Sequence, residues 1–131
     1  MVILDTDFLV ALLRGNEDAI NKAHEIETLN RKVSTTSITS YELFKGAYLS
    51  GNPSKNISDV IRILSSITIL HFDFDASMQS AKVYFELKNK GKLTNTMDQM
   101  IAAIALSNNK KLITRNVKHY RNMHQLRIET W

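Results

Sequence analysis

The chain has 131 residues, with 17 Lys and Arg against 13 Asp and Glu and a net charge of +4 at pH 7. This length predicts a single domain, residues 1–131, whose core forms without staples. Cysteine is absent, which excludes disulfides, thiol catalysis and thiolate metal sites and fits a cytoplasmic location. No apolar stretch approaches the ~20 residues of a membrane span, and no secretory signal is present, so we expect no membrane partner.

The first half of the chain is predicted to alternate between strands and helices. We predict a buried strand over Val2–Leu4, followed by a short helix capped by Asp7 and a second helix capped by Asn16. Lys32–Thr36 is rich in β-branched residues and is predicted to be the second strand. The capping-box spacing of Thr39-Ser40-Tyr41-Glu42 predicts a helix that begins there.

The second half continues this alternation. One apolar stripe predicts an amphipathic helix, formed by Ile57, Val60, Ile61 and Leu64. Ile67–Phe72 is predicted to be a strand, and Asp73 or Asp75 is placed to cap the long helix after it. A second capping box at Thr96-Met97-Asp98-Gln99 predicts the next helix, and Lys111–Thr114 is predicted to be the fourth strand.

Strands that alternate with helices of this length indicate parallel pairing through crossovers. A further strand near Leu126–Thr130 would bring the sheet to five strands. We therefore predict an α/β fold, a three-layer α/β/α sandwich with a central parallel sheet of four to five short strands.

Four polar residues are predicted to lie at the carboxyl edge of this sheet, where ligands bind in open parallel sheets. Asp5 follows the first strand, and Asn116 follows the fourth. Glu42 and Asp98 are predicted in the first turns of helices, where a carboxylate is stabilised by up to about 1 kcal/mol without any function. Asp5 is harder to explain structurally, because Asp7 is the better-placed cap and a buried carboxylate is costly without a partner.

A pocket that gathers Asp5, Glu42 and Asp98 favours a divalent cation, because clustered carboxylates raise each other's pKa unless a cation neutralises them. Oxygen ligands without cysteine indicate Mg²⁺ or Mn²⁺. The four histidines show no paired metal-ligand spacing, which argues against zinc.

Four segments of the chain carry a family resemblance: ILDTDFLVALL, SITSYELFKGA, TMDQMIAAIAL and LITRNVKHY. In this order and at these separations they resemble the PIN-domain ribonucleases, in particular the compact VapC toxins of type II toxin–antitoxin modules. The likeness extends from the first predicted strand to the last.

The resemblance implies a metal-dependent endoribonuclease that hydrolyses RNA phosphodiester bonds and leaves a 5′-phosphate and a 3′-hydroxyl. Carried over by motif, Asp5, Glu42 and Asp98 would bind Mg²⁺ or Mn²⁺ and form the catalytic set together with Asn116. Many members have an aspartate at the position of Asn116, so a second metal should bind more weakly here.

The resemblance also implies a substrate surface and protein partners. Thr6 and Thr114 stand beside the acids, where each could contact a phosphate oxygen or cap a turn. Arg115 and Lys118 would hold the RNA backbone within the basic stretch 110–127, although from the charges alone a solvated face is the simpler explanation of that stretch. The implied partners are a cognate antitoxin and a second copy of the chain, as a homodimer and as a heterotetramer or larger assembly with the antitoxin.

Two other functions fit parts of the sequence. A phospho-receiver domain would use Asp5 and Asp7 as a Mg²⁺-binding pair and Asp73 as phosphoryl acceptor, but it would leave Glu42 and Asp98 unexplained. A PIN domain with weak catalysis that only binds RNA or protein is the third interpretation, and it rests on Asn116.

Overall fold

A parallel sheet forms the centre of the computed structural model, which describes residues 1–131. The strands are β1 Val2–Leu4, β2 Val33–Thr36, β3 Thr68–Leu70, β4 Lys111–Ile113 and β5 Ile128–Glu129. Their order is β3-β2-β1-β4-β5, and every neighbouring pair is parallel. The predicted sandwich is confirmed, with five strands in its central sheet.

Seven helices accompany the sheet. They are α1 Thr6–Leu13, α2 Glu17–Thr28, α3 Ser37–Tyr48, α4 Pro53–Leu64, α5 Phe74–Asn89, α6 Thr96–Ser107 and α7 Val117–Tyr120. As predicted, Asn16 caps α2 and Asp73 caps α5, each by accepting a hydrogen bond from a main-chain N–H three residues ahead. Not one of these helices combines the length and apolarity that crossing a bilayer requires.

The predicted capping boxes of α3 and α6 are wrong by one to three residues. Thr36, still extended at the end of β2, caps α3 by accepting from the main-chain N–H of Thr39 at 3.0 Å. Glu42 therefore lies in the second turn of α3 rather than the first. Asn95, not Thr96, caps α6. In both cases an N-cap needs an extended backbone, and the residue that has it precedes the one that the spacing indicated.

The two edge strands are shorter than predicted. β3 has three residues instead of the six over Ile67–Phe72, and β5 has two instead of the five over Leu126–Thr130. An edge strand can pair on one side only. Its length is therefore limited by its single short neighbour, and β3 pairs only alongside Ser34–Thr36 of β2.

The apolar stripe of α4 is confirmed at three of its four positions. Val60 is buried, and Ile57 and Leu64 pack against the core around it, but Ile61 is 54% exposed. Ile63 packs inward instead. The core-facing side of α4 is thus rotated slightly from the predicted stripe.

The central strand β1 is buried on both faces, which explains why it is entirely apolar. Val2 and Leu4 point to one side, where they join a cluster that includes Phe8 of α1. Ile3 points to the other side and packs with Ile101 of α6 and Tyr120 of α7. β1 therefore ties the two helical layers together, and its carboxyl end lies deep inside the molecule.

An ion-pair cluster joins the last strand, β5, to α2 and to the segment that follows α2. Both carboxylate oxygens of Glu129 lie 2.8 Å from the guanidinium nitrogens of Arg31. Lys22 of α2 lies 2.7 Å from the same carboxylate, and Lys111 lies 3.4 Å from it. Hydrogen bonds from Arg31, then those from Lys22, hold the pKa of Glu129 well below its usual range.

We expect Glu129→Gln to lower the free energy of unfolding by ~2 kcal/mol at pH 7, since it leaves three cations around a neutral amide. The lowered pKa means that the carboxylate stabilises the fold above its unfolded pKa and ceases to do so as pH falls through the folded one. The difference in unfolding free energy between wild type and Glu129→Gln, measured by urea denaturation, should therefore become smaller below pH 4. Glu27→Gln, at an exposed position on α2, is the control and should leave the midpoint unchanged; an equal loss there would refute the prediction.

Candidate active site

Asp5 ends the central strand and begins the first helix. Its side chain accepts a hydrogen bond from the main-chain N–H of Thr6 at 2.8 Å, so Asp5 is the N-cap of α1 and is only 2% exposed. The prediction that Asp7 caps this helix is wrong, because the backbone turns helical directly after Asp5 and places Asp7 in the first turn. Asp5 is thus both the N-cap of α1 and a buried carboxylate.

The segment that follows β4 supplies hydrogen-bond donors to both aspartates. The buried hydroxyl of Thr114 lies 2.7 Å from Asp5 Oδ2. The main-chain N–H of Arg115 donates to Asp7 Oδ2 at 2.7 Å, and the N–H of Asn116 donates to the Thr114 hydroxyl oxygen at 3.0 Å. Three consecutive residues, hereafter the 114–116 loop, therefore line the carboxyl end of β1.

Asp98, in the first turn of α6, is joined to Asp5 through one tyrosine. The hydroxyl of Tyr120 lies 3.3 Å from Asp5 Oδ1 and 3.2 Å from Asp98 Oδ1. The other oxygen of Asp98 lies 2.7 Å from the Asn95 amide nitrogen and 2.8 Å from His119 Nδ1. Burial, followed by these two carboxylates, raises the pKa of Tyr120, so its hydroxyl stays protonated and can donate.

Glu42 is joined to the same group through a threonine. The Thr6 hydroxyl donates to Glu42 Oε1 at 2.8 Å, while the Thr6 N–H donates to Asp5. Shared hydrogen-bond partners therefore link the three predicted carboxylates. No three His, Asp or Glu side chains stand in a ready-made coordination cluster in this conformation.

The electrostatics of the site favour a cation. Burial, with smaller contributions from Asp7 and Asp98, raises the pKa of Asp5 to about 7, against the opposing hydrogen bonds from Thr114 and Thr6. No Lys or Arg side chain forms an ion pair with Asp5, Glu42 or Asp98. Oxygen-rich carboxylate sites without a neutralising cation are what hard divalent ions such as Mg²⁺ and Mn²⁺ bind. In charge and in the type of donor atom, the residues present therefore fit such an ion.

Asn116, predicted to be the fourth catalytic residue, and the predicted substrate residues lie in different positions relative to the acids. Asn116 is half-buried at the start of α7, and its side chain makes no capping bond. Lys118 is exposed on α7. The guanidinium of Arg115 is engaged elsewhere, 2.9 Å from Asp18 Oδ2 and 3.7 Å from the ring of Trp131. The hydroxyls of Thr6 and Thr114 donate to carboxylates.

Sequence reasoning missed three residues of the site. Asp7 was predicted to be a cap, and Tyr120 and His119 were not assigned to the site. Tyr120 and His119 lie on α7, whose four residues are too few to show a helical period. The one sequence signal that could have assigned Asp7 to the site is its separation from Asp5, which is two residues.

Asp5→Asn should stabilise the metal-free protein at alkaline pH. A carboxyl whose folded pKa is raised favours folding below its unfolded pKa and opposes it as pH rises through about 7. At 1.36 kcal/mol per unit, the cost in wild type is roughly 2–4 kcal/mol at pH 9. We expect the unfolding free energy of wild type, measured in EDTA, to fall between about pH 4 and pH 7 and to level off above pH 7. The Asn variant should show a flatter profile, and the exposed control Asp75→Asn should follow wild type. If the unfolding free energy of Asp5→Asn falls with pH as steeply as that of wild type, the raised pKa of Asp5 is not the cause of the pH dependence.

Comparison with known proteins identifies the class of protein to which this fold belongs. The family model of the PIN domain matches residues 2–123, so the chain belongs to the PIN-domain family. It is 30% identical over 129 residues to the tRNA(fMet)-specific endonuclease VapC of Salmonella typhimurium, a match that covers 98% of this chain and 96% of that protein. Ribonuclease VapC2 of Rickettsia felis is 27% identical with the same coverage.

Solved structures agree with this assignment. The crystal structure of VapBC2 from Rickettsia felis bound to promoter DNA matches with a TM-score of 0.92 at 26% identity, over 100% of this chain and 99% of that one. DNA-bound VapBC from Salmonella typhimurium matches with a TM-score of 0.90 at 29% identity and the same coverage. The resemblance seen in four sequence segments is confirmed, and within its family the chain groups with the VapC ribonucleases.

Proposed function

We propose that this PIN-domain ribonuclease is a metal-dependent endoribonuclease that hydrolyses RNA phosphodiester bonds as the toxin of a toxin–antitoxin pair. One observation supports the chemistry above all. Asp5 and Asp98, 93 residues apart in sequence, share the hydroxyl of Tyr120 at the buried end of the central strand, with no Lys or Arg paired to either. Its relatives are named ribonucleases, which agrees with an acidic site of this kind.

Asp5, Glu42 and Asp98 would hold Mg²⁺ or Mn²⁺, and Asn116 would offer an uncharged amide oxygen beside them. A divalent ion bound there supplies Lewis-acid activation of a water molecule and neutralises charge that develops on the scissile phosphate. The neutral amide of Asn116 would weaken a second metal site, because it adds no charge.

The surrounding residues orient these acids. Thr114 and the Thr6 N–H fix the two oxygens of Asp5, and Asn95 with His119 fixes one oxygen of Asp98. Such supporting hydrogen bonds hold ligands in one rotamer and reduce the reorganisation needed for metal binding.

Glu42 is held less firmly than the two aspartates. It is half-buried and accepts one hydrogen bond, from the Thr6 hydroxyl. We propose that Glu42 is the ligand that adjusts its position when a metal binds.

The partners are proposed from the same comparisons. The matching solved structures include VapBC complexes, two of them bound to DNA, so we propose a cognate antitoxin, a toxin homodimer and a heterotetramer or larger assembly. An antitoxin arginine reaching the acidic edge would form a charge-assisted pair with these carboxylates. The initiator tRNA is the first substrate to test, because it appears in the name of the Salmonella relative.

The phospho-receiver interpretation is not favoured. Its proposed acceptor, Asp73, caps α5 through a 2.9 Å bond from the Ala76 N–H. Its proposed acidic pair also differs in role, because Asp5 is a buried N-cap whereas Asp7 accepts from the 114–116 loop.

Asp98→Asn should reduce Mg²⁺-dependent cleavage of RNA by at least ~100-fold, because the neutral amide loses a charged metal ligand. The measurement is single-turnover cleavage of labelled tRNA with and without EDTA. The amide oxygen can still accept from Tyr120, but the NH2 group replaces the oxygen that accepts from Asn95, so the thermal unfolding midpoint should fall moderately while the circular dichroism of the fold is retained. Asp75→Asn, an exposed carboxylate on α5, is the matched control. Cleavage at the wild-type rate by the Asp98 variant would exclude this site as the catalytic centre.

Asn116→Asp should strengthen divalent binding. An added carboxylate beside Asp5 supplies the charge that the amide lacks, and we expect the Mn²⁺ dissociation constant to fall ~5-fold or more in isothermal titration calorimetry. The added like charge should also lower the stability of the metal-free protein. Unchanged Mn²⁺ affinity would mean that residue 116 lies outside the coordination sphere.

A further inference from the structure

Arg115 has an arrangement that the proposed reaction does not use. Its main-chain N–H donates to Asp7, while its guanidinium turns away from the acids. The guanidinium lies 3.7 Å from the ring centre of Trp131, donates to the main-chain oxygen of Trp131 and pairs with Asp18 of α2 at 2.9 Å. One residue thus joins the acidic edge to the end of β5 and to α2.

Trp131 is itself fixed against the core. Its ring packs edge-on against Phe8 with centroids 5.4 Å apart, and Phe8 is a buried neighbour of Asp7 on α1. The indole N–H is buried without a hydrogen-bond partner. An unpaired buried N–H is costly. The ring therefore keeps its position through its contacts with Phe8 and Arg115, not through its polar atom.

The 114–116 loop is therefore held by contacts on two sides. On the inner side, Thr114 and the Arg115 N–H bind Asp5 and Asp7. On the outer side, the Arg115 side chain is held by Asp18 and Trp131. Movement of the loop would require both sets of contacts to change.

We propose that Asp18, Arg115 and Trp131 form a clamp that positions the 114–116 loop, and through it Asp5 and Asp7, for binding a divalent cation. Arg115 is then a positioning residue and not a contact for the RNA backbone. The proposal extends the metal-dependent ribonuclease function argued above and rests on it for the cleavage readout only. The Mn²⁺ affinity of the protein tests the clamp without RNA.

The clamp and an RNA-contact role make opposite predictions for Asp18. If Arg115 binds phosphate, Asp18→Asn releases its guanidinium and removes a negative charge, so RNA binding should tighten. If the clamp positions the loop, Asp18→Asn loosens Arg115, so Mn²⁺ affinity and kcat should fall while RNA affinity stays the same. Asp18 is an exposed side chain, so its replacement does not threaten folding.

The experiment compares Asp18→Asn, Arg115→Ala and Trp131→Ala with wild type. Mn²⁺ affinity is measured by isothermal titration calorimetry, and RNA affinity is measured in an Asp98→Asn background that does not cut the substrate. We expect Asp18→Asn to weaken Mn²⁺ binding ~2–5-fold, as befits an exposed ion pair. Arg115→Ala and Trp131→Ala should weaken it ~5–20-fold, because each also removes the cation–π contact.

Three further variants serve as controls. Glu17→Gln removes the neighbouring exposed carboxylate in the same helical turn and should bind Mn²⁺ as wild type does. Trp131→Phe keeps an aromatic face and removes the unpaired N–H, so it should retain most of the affinity. Lys118→Ala should weaken RNA binding and leave Mn²⁺ affinity unchanged.

The outcomes separate the clamp from the enzyme. Wild-type Mn²⁺ affinity in all three clamp variants, or tighter RNA binding by Asp18→Asn, would overturn the clamp while leaving the ribonuclease intact. Wild-type protein that binds Mn²⁺ but cuts no RNA would remove the proposed function, and the clamp would still be judged by affinity. Wild-type protein that binds no Mn²⁺ would overturn both. If Trp131→Ala fails to fold, Asp18→Asn decides.

Discussion

The molecule depends on one buried carboxylate at the end of its central strand. Asp5 loses solvent on all sides, which is costly for a charged group. Its oxygens are supported by the start of α1, by the 114–116 loop and by Tyr120 of α7. These supports come from the beginning and the end of the sequence. The site therefore exists only once β1 is paired with β4 and α7 is packed against them.

The negative charge that the acidic edge would offer to a cation lowers the stability of the metal-free fold. The hydrogen bonds to Asp5 favour its charged form, yet burial and the nearby Asp7 and Asp98 outweigh them and raise its pKa to about 7. A cation in the site, or an arginine from a partner protein, would reverse that balance by the same electrostatic attraction. The free protein thus keeps an unfavourable charge that a ligand can relieve, which is a common feature of functional sites.

The sheet and the acidic residues could be predicted from the sequence more accurately than the helix caps and the residues that hydrogen-bond to the acids. Apolar runs bounded by turns placed the strands. Asp5 was placed by its position at the end of a strand, because parallel strands bring their carboxyl ends to one edge, and Asp98 was placed by its position in a helix first turn. The caps of α1, α3 and α6 were misplaced, since spacing does not show where the backbone leaves the extended region. Tyr120 and His119 were missed because α7 is a single turn, and its orientation is set by packing against the core.

The basic stretch 110–127 shows why charge in a sequence does not define a surface. Lys111 pairs with Glu129 in the ion-pair cluster, Arg127 donates to the carbonyl oxygen of Asn109, and Arg115 is held by Asp18 and Trp131. Lys111 and Arg115 are paired with carboxylates, which reduces their long-range attraction for a polyanion, whereas Arg127 keeps its charge because amide oxygens do not neutralise it. Lys118 and Arg121 form no ion pair and lie on or next to α7, the helix that carries Tyr120 and His119 to Asp98. The charge available to an RNA backbone is therefore smaller than the sequence count indicates, because two of the six cations of this stretch are paired with carboxylates.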